Sequence, residues 1–301
     1  IYYYYNLNIL LLLLSMKITR YGNTETHLLF INYLLNYENL QHHLKPQLSK
    51  MFMTFVNYHY TWSGYYDKSV SGKVFEFNES SLNENFNKYI KELEISCGQC
   101  EEFLYYGSPN VNNVIEQCKD RFKKQYNIGN MRCLNDTRFN DRVDKIYDFI
   151  RDKRVLVVSS FGGLTKQQYD NNNVYKIYPN FPKIKSLDYI NFPYCFNNNG
   201  PHENYFETCD YMFNLIKEKS DNFDIVLLSC AAYGHILTHK VHSELKKDSI
   251  YVGANIQEMF GISSKREREA GFIKENEYWI REIPDEYVPK NCVPPEGGCF
   301  W

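Results

Sequence analysis

The chain has 301 residues, 44% of them hydrophobic and 23% charged, with a formal net charge of -2. That length and balance allow one large α/β domain or two modest ones, and exclude collagenous, coiled-coil and wholly disordered classes. A near-neutral charge gives no bulk attraction to a phosphate backbone, which argues against nucleic acid as a partner. The excess of Tyr and Asn is what the codon usage of an AT-rich genome produces and carries no functional weight. Nine cysteines, an odd number, are scattered except for Cys97-Gly-Gln-Cys100. They read as mostly buried thiols of a reduced, cytoplasmic protein.

The chain opens with Ile1 and four tyrosines, then an apolar run to Leu14 that is far short of the roughly 20 residues needed to cross a bilayer. No basic segment precedes the run and no small-residue cleavage site follows it, so it does not read as a signal peptide. Residues 1–15 are expected either to lie upstream of a natural start at Met16 or to form a short apolar leader, with 16–301 forming a single domain that has no membrane span.

In chain order, residues 16–22 read as a short strand ending in a turn. A helix is expected over 24–36, with Leu28, Leu29, Ile31, Leu34 and Leu35 on one face. Residues 37–70 are mixed. Further helices are expected over 83–93, 114–126 and 142–151. Composition then shifts: residues 154–163 read as a buried strand running into a glycine turn, and 174–177 as a second apolar strand inside an Asn/Pro/Tyr-rich stretch. A helix over 204–220 precedes the clearest unit of the chain. Residues 223–230 form a strand, 231–234 a tight turn, 235–247 a helix and 249–253 the next strand, which is a right-handed βαβ unit with parallel strands. The Pro-rich last 20 residues or so read as loop. Together these elements predict an α/β, Rossmann-like variant with a largely parallel sheet flanked by helices.

In such sheets, ligands bind beyond the carboxyl ends of the strands. The candidates there are the turns around Ser159 and Ser160 and at Ala232, Tyr233 and Gly234. Neither is GxGxxG or a P-loop, so dinucleotide and ATPase readings are disfavoured, and either could be an ordinary strand-to-helix turn. His235, His239 and His242 share a helix face but lack the Glu that a zincin places after its first His; they read as a surface stripe. Cys97 and Cys100, with Cys118 and Cys133, fall short of a complete zinc pattern. Asn23 and Glu25 suit the start of the helix that follows them, as cap and first-turn acid.

A resemblance reweights these features. The segments Asp224-Ile-Val-Leu-Leu-Ser-Cys-Ala-Ala-Tyr-Gly234 and Ile250-Tyr-Val-Gly-Ala-Asn-Ile-Gln-Glu-Met-Phe-Gly-Ile262 resemble the GT-D-type glycosyltransferases and related proteins of bacteria and large DNA viruses. The family pattern is a hydrophobic strand ending in Gly-Ala-Tyr-Gly, then a strand leading to Gly-Gly-x-x-Gln-x-x-Phe-Gly-Ile. Tyr278-Trp279 and Cys299-Phe-Trp301 look like the family's Trp-rich segment and terminal Cys-Tyr-Trp. Arg20-Tyr-Gly-Asn-Thr-Glu25 looks like its Arg-aromatic-Gly-Asp-x-Glu motif. The matches keep their order over nearly the whole chain. Two departures stand out. Asn23 replaces the Asp of the metal-linked pair, a weaker ligand for a hard cation. Ser263-Ser-Lys-Arg-Glu267 replaces Lys-Gly-Lys-Arg-Trp, keeping Lys265 and Arg266.

The resemblance implies transfer of a sugar from a nucleoside-diphosphate sugar, a UDP-sugar above all, to a glycan or glycoprotein acceptor. In a viral setting the host cytoplasm is the place of action. Charge growing on the leaving diphosphate then needs a divalent cation (Mn2+ or Mg2+), basic side chains or helix amides. The implied catalytic residues are Glu25, Arg20 and Arg266, with Asn23 and Glu25 as metal ligands. Gly22, Ser159, Ser160, Ala232, Tyr233, Gly234, Gly253, Gln257, Phe260 and Gly261 would bind the nucleotide sugar. Tyr233 and Trp279 would stack on the base or sugar rings. The alternative is a catalytically inactive relative that binds a nucleotide sugar or glycan. Assembly as a homodimer is left open.

Overall fold

A computed structural model describes residues 15–21, 23–37, 45–61, 63–70, 82–97, 102–105, 119–128, 130–133, 146–270 and 275–290. Seven strands form one sheet: β1 (Lys17–Tyr21), β2 (Glu102–Tyr105), β3 (Asn130–Cys133), β4 (Arg154–Ser159), β5 (Ser186–Asn191), β6 (Ile225–Ser229) and β7 (Asp248–Tyr251). Their order is β3-β2-β1-β7-β6-β4-β5, and each pairing is parallel. The helices are α1 (Asn23–Tyr37), α2 (Lys45–Thr61), α3 (Glu84–Cys97), α4 (Gly162–Asp170), α5 (Asn173–Ile177), α6 (Tyr205–Glu218), α7 (Tyr233–Lys240), α8 (Asn255–Met259) and α9 (Lys265–Ala270). Residues 119–126 and 146–150 are also helical.

Strand alternation sorts the core into two layers. On β4 and β6, Leu156, Val158, Val226 and Leu228 join α1, α2, α3, α6 and α7 on one face. Val155, Val157, Ile225 and Leu227 meet Ile150, Val174, Ile256, Met259 and Phe260 on the other. Both faces are covered, which is why these strands read as unbroken apolar runs. Each such side chain contributes about 1.5–3 kcal/mol of burial. The α/β reading with a parallel sheet and flanking helices is therefore the architecture observed.

The connections fix where the sheet opens. The chain leaves β4 through α4 and α5 toward the outer strand β5, and leaves β6 through α7 in the opposite direction toward β7. The strand order thus reverses between β4 and β6, where Ser159 pairs with Ser229. Ligand crevices of open α/β sheets form at such points.

Three local readings change. Residues 174–177, expected as a strand, are helical: only Val174 of α5 is buried, and Tyr178 N–H donates to Val174 O at 2.8 Å. The strand of that region is β5 instead. As an edge strand it buries little beyond Leu187 and Ile190, so its sequence lacks a clear period. The helix expected over 235–247 is α7 followed by a π-helical turn, Val241–Leu245, that ends at Lys246 with φ 57°. Its histidines are no surface stripe: His235 is fully buried, and His239 and His242 are partly so. Strand β2, strand β3 and the long helix α2 had no expectation attached.

Cys97 is fully buried; Cys100 and Cys118, and the side chain of Cys133, lie outside the described residues. So do the leader 1–14 and the terminal Cys299-Phe-Trp301. Among the described residues no helix is long and apolar enough to cross a membrane.

Candidate functional site

The carboxyl ends of β1, β7, β6 and β4 stand side by side, and the turns that follow them hold most of the expected site residues. Strand β1 ends at Tyr21 and α1 begins at Asn23, so Glu25 falls in the first turn of α1, where the helix dipole favours an acid. Glu25 is 5% exposed. Arg20 is the last residue but one of β1 and Arg266 lies on α9. The side chains of Arg20, Asn23 and Arg266, and all of Gly22, lie outside the described residues.

Beneath Glu25 is a buried polar group that sequence reasoning missed. The Tyr89 hydroxyl of α3 lies 2.9 Å from His59 Nε2 of α2. Burial pushes the Tyr89 hydroxyl well up its scale, and the Glu25 carboxylate is the largest electrostatic contribution to that shift, followed by Tyr251. Burial also holds the His59 imidazole down at about 3, so the ring is neutral. The Tyr251 ring stands edge-on to His235, with centroids 4.8 Å apart. These residues come from four elements remote in sequence, and no spacing in the chain links them.

The turn after β6 is built differently from expectation. Ala231 has φ 46°, a left-handed conformation that costs an alanine about 1–2 kcal/mol. Tyr251 OH holds it by donating to Ala231 O at 2.8 Å. The amides that follow already have acceptors: Ala232 N–H donates to Ser63 O at 2.9 Å, Tyr233 N–H to Cys230 O at 3.1 Å and Gly234 N–H to Ala231 O at 3.1 Å. This turn therefore offers no free amide cradle at 232–234. Tyr233 has no face for a base either. It is fully buried and stacked on Tyr205 at 4.2 Å, and Tyr205 OH donates to Ala232 O. Gly234 makes room for the Tyr251 ring, which fills the space where its Cβ would stand.

After β4, Ser159 Oγ accepts from Phe161 N–H at 3.2 Å and Ser160 Oγ donates to Phe192 O at 2.9 Å. Gly163 N–H is taken by Asn191 Oδ1 at 3.0 Å. Tyr287, from residues 275–290, packs over this turn with its ring against Phe161. Ser160 thus spends its proton on the carbonyl that follows β5, while Ser159 accepts within its own turn.

After β7, Gly253 has φ 66° and Gly261 φ 69°. Gln257 is 3% exposed in α8, while Phe260 belongs to the core against Phe181. Gly261 O accepts from Gln168 Nε2 at 3.0 Å, and the same amide reaches Tyr278 O at 2.9 Å. Trp279 is 7% exposed and packs edge-on to Tyr178, so it is a wall element with no open face for stacking.

Among the described residues no three His, Cys, Asp or Glu side chains gather as a metal site. The cation implied by the resemblance therefore has one described ligand, Glu25, and no step is built on it. Comparison with known protein families, with curated proteins and with solved structures finds no match for this chain.

Proposed function

We propose that this protein is a glycosyltransferase that moves a sugar from a nucleoside-diphosphate sugar, a UDP-sugar above all, to a glycan or glycoprotein acceptor in the cytoplasm. One observation carries the reading. Ala231, Gly253 and Gly261 align with glycines of the GT-D-type pattern in the turns after the last two strands, and they adopt φ 46°, 66° and 69°. One physical reason for a pattern glycine is a backbone that needs a left-handed residue. Three positions of the pattern thus carry a backbone that favours glycine, which supports the reading.

In this reading the donor occupies the crevice beyond β1, β7, β6 and β4. Glu25, desolvated at the head of α1, takes the proton from the acceptor hydroxyl. Arg20 at the end of β1 and Arg266 on α9 pair with the diphosphate and stabilise the charge that develops as it leaves. Gln257 hydrogen-bonds sugar hydroxyls.

The test is a thermal-shift screen of the whole chain against nucleoside diphosphates and their sugars, with and without manganese, followed by an assay of diphosphate release. Ligand at about a hundredfold its Kd stabilises by about 2.7 kcal/mol, a shift of several degrees. Glu25→Gln should keep nucleotide binding and lose turnover. Binding without turnover in the natural chain would instead assign the inactive, binding-only role that Asn23 in place of Asp suggests. No shift with any nucleotide overturns the proposal.

A further inference from the structure

A second cavity, of about 260 Å3, lies between α3, α6 and α7. It is not part of the crevice just described. Its His239 wall touches Lys17, the first residue of β1, at the opposite end of that strand from Glu25. Cys209 and Ile236 line it as buried residues. Its volume suits a small metabolite and falls below the range usual for larger organic ligands.

The charges around it are unbalanced in a specific way. Lys240 Nζ is neutralised by Asp210 Oδ1 at 2.7 Å. Lys88 Nζ instead stands 4.0 Å from the centroid of the Phe206 ring. Among the described residues, Lys88, Glu92 and Glu244 enter no ion pair, although all three line the cavity. His239 adds a fixed donor. Its Nδ1 lies 3.4 Å from Lys17 Nζ, and an ammonium can only donate, so the ring proton sits on Nε2.

A ligand bearing only a carboxylate would meet Glu92 and Glu244 in this space; one bearing only an amine would meet Lys88. A ligand with both charges satisfies both sides and lays its carbon chain along Phe206 and Ile236. We propose that this cavity binds a small zwitterion, an amine and a carboxylate on one short aliphatic skeleton, as in a free amino acid. The carboxylate pairs with Lys88 and the His239 N–H, and the amine with Glu92 and Glu244. The site is independent of the glycosyltransferase reading.

Isothermal titration of the full chain with glutamate, lysine and γ-aminobutyrate tests this, with acetate and butylamine at equal ionic strength as single-charge controls. At least one zwitterion should bind saturably, and both controls should not. Lys88→Met and Glu92→Gln should each weaken that binding about tenfold or more. Lys88 is exposed and Glu92 half-buried, so neither change should disturb folding, and an unchanged melting temperature checks this. Absence of binding by all three zwitterions overturns the proposal. So does butylamine or acetate binding as well as the best zwitterion, or binding indifferent to both substitutions.

Discussion

Tyr251 and Gly234 are a matched pair: the ring from the end of β7 fills the space that any side chain at Gly234 would need, and its hydroxyl fastens the neighbouring Ala231 carbonyl. A glycine in the turn after β6 is thus required by a tyrosine from the next strand, without reference to a ligand.

Gly234→Ala should accordingly be destabilising by about 1–3 kcal/mol, the usual cost of overpacking a filled site. Tyr251→Phe, which keeps the ring and loses one hydrogen bond, should cost about 1 kcal/mol. Urea unfolding of both variants checks the order. A Gly234→Ala protein as stable as the parent would show that the ring moves aside freely.

Ala231→Gly should stabilise the fold. Relief of the left-handed conformation, about 1–2 kcal/mol, exceeds the extra entropy glycine loses on folding, about 0.5–1 kcal/mol. The expected gain is a few tenths to 1 kcal/mol by the same measurement. A loss would mean that the methyl group makes packing contacts worth more than the strain.

Three histidines should make the protein acid-sensitive. Burial holds His59 at about 3, and His239 and His242 at about 4, with Lys17 adding to the last two shifts. The unfolded chain takes up these protons near the ordinary value of 6.5 and the folded chain does not. Stability is therefore full above 6.5 and falls as pH drops toward 4. In denaturant titrations between pH 7 and 4.5, His59→Gln should reduce the proton uptake on unfolding by about one. An unchanged slope would place His59 in contact with solvent.

Gln168 ties the 275–290 segment to the body of the protein by bridging Gly261 O and Tyr278 O. Gln168→Ala should cost about 1–2 kcal/mol, because the partly buried Tyr278 carbonyl loses its donor and the Gly261 carbonyl one of two. Amide exchange should accelerate most around Ile280, whose N–H donates to Gly261 O at 2.9 Å. Uniform acceleration across the sheet would show that the segment does not open on its own.

Strands β4, β6 and β7, helices α1, α3 and α6, and the parallel βαβ unit linking β6 to β7 are legible in the chain itself. Their hydrophobic periods are long and local, and burial on both sheet faces turns the strands into apolar runs. Strand β5 is not legible, because an edge strand buries few residues, and α5 misleads because a short apolar stretch suits either state. The placement of Glu25 at the head of α1 also follows from the sequence, since a strand, a turn and a first-turn acid are all local.

What surrounds Glu25 is a product of tertiary structure. His59 and Tyr89 meet through the packing of α2 against α3, and Tyr251 reaches Ala231 across two strand ends. Whether a turn amide is free or already bonded to Ser63, and whether a tyrosine lies open or stacked inside the core, depends on loops that arrive from elsewhere in the chain. Local propensity reports on the backbone's own neighbours; solvent access and hydrogen-bond partners are decided by residues far away in sequence.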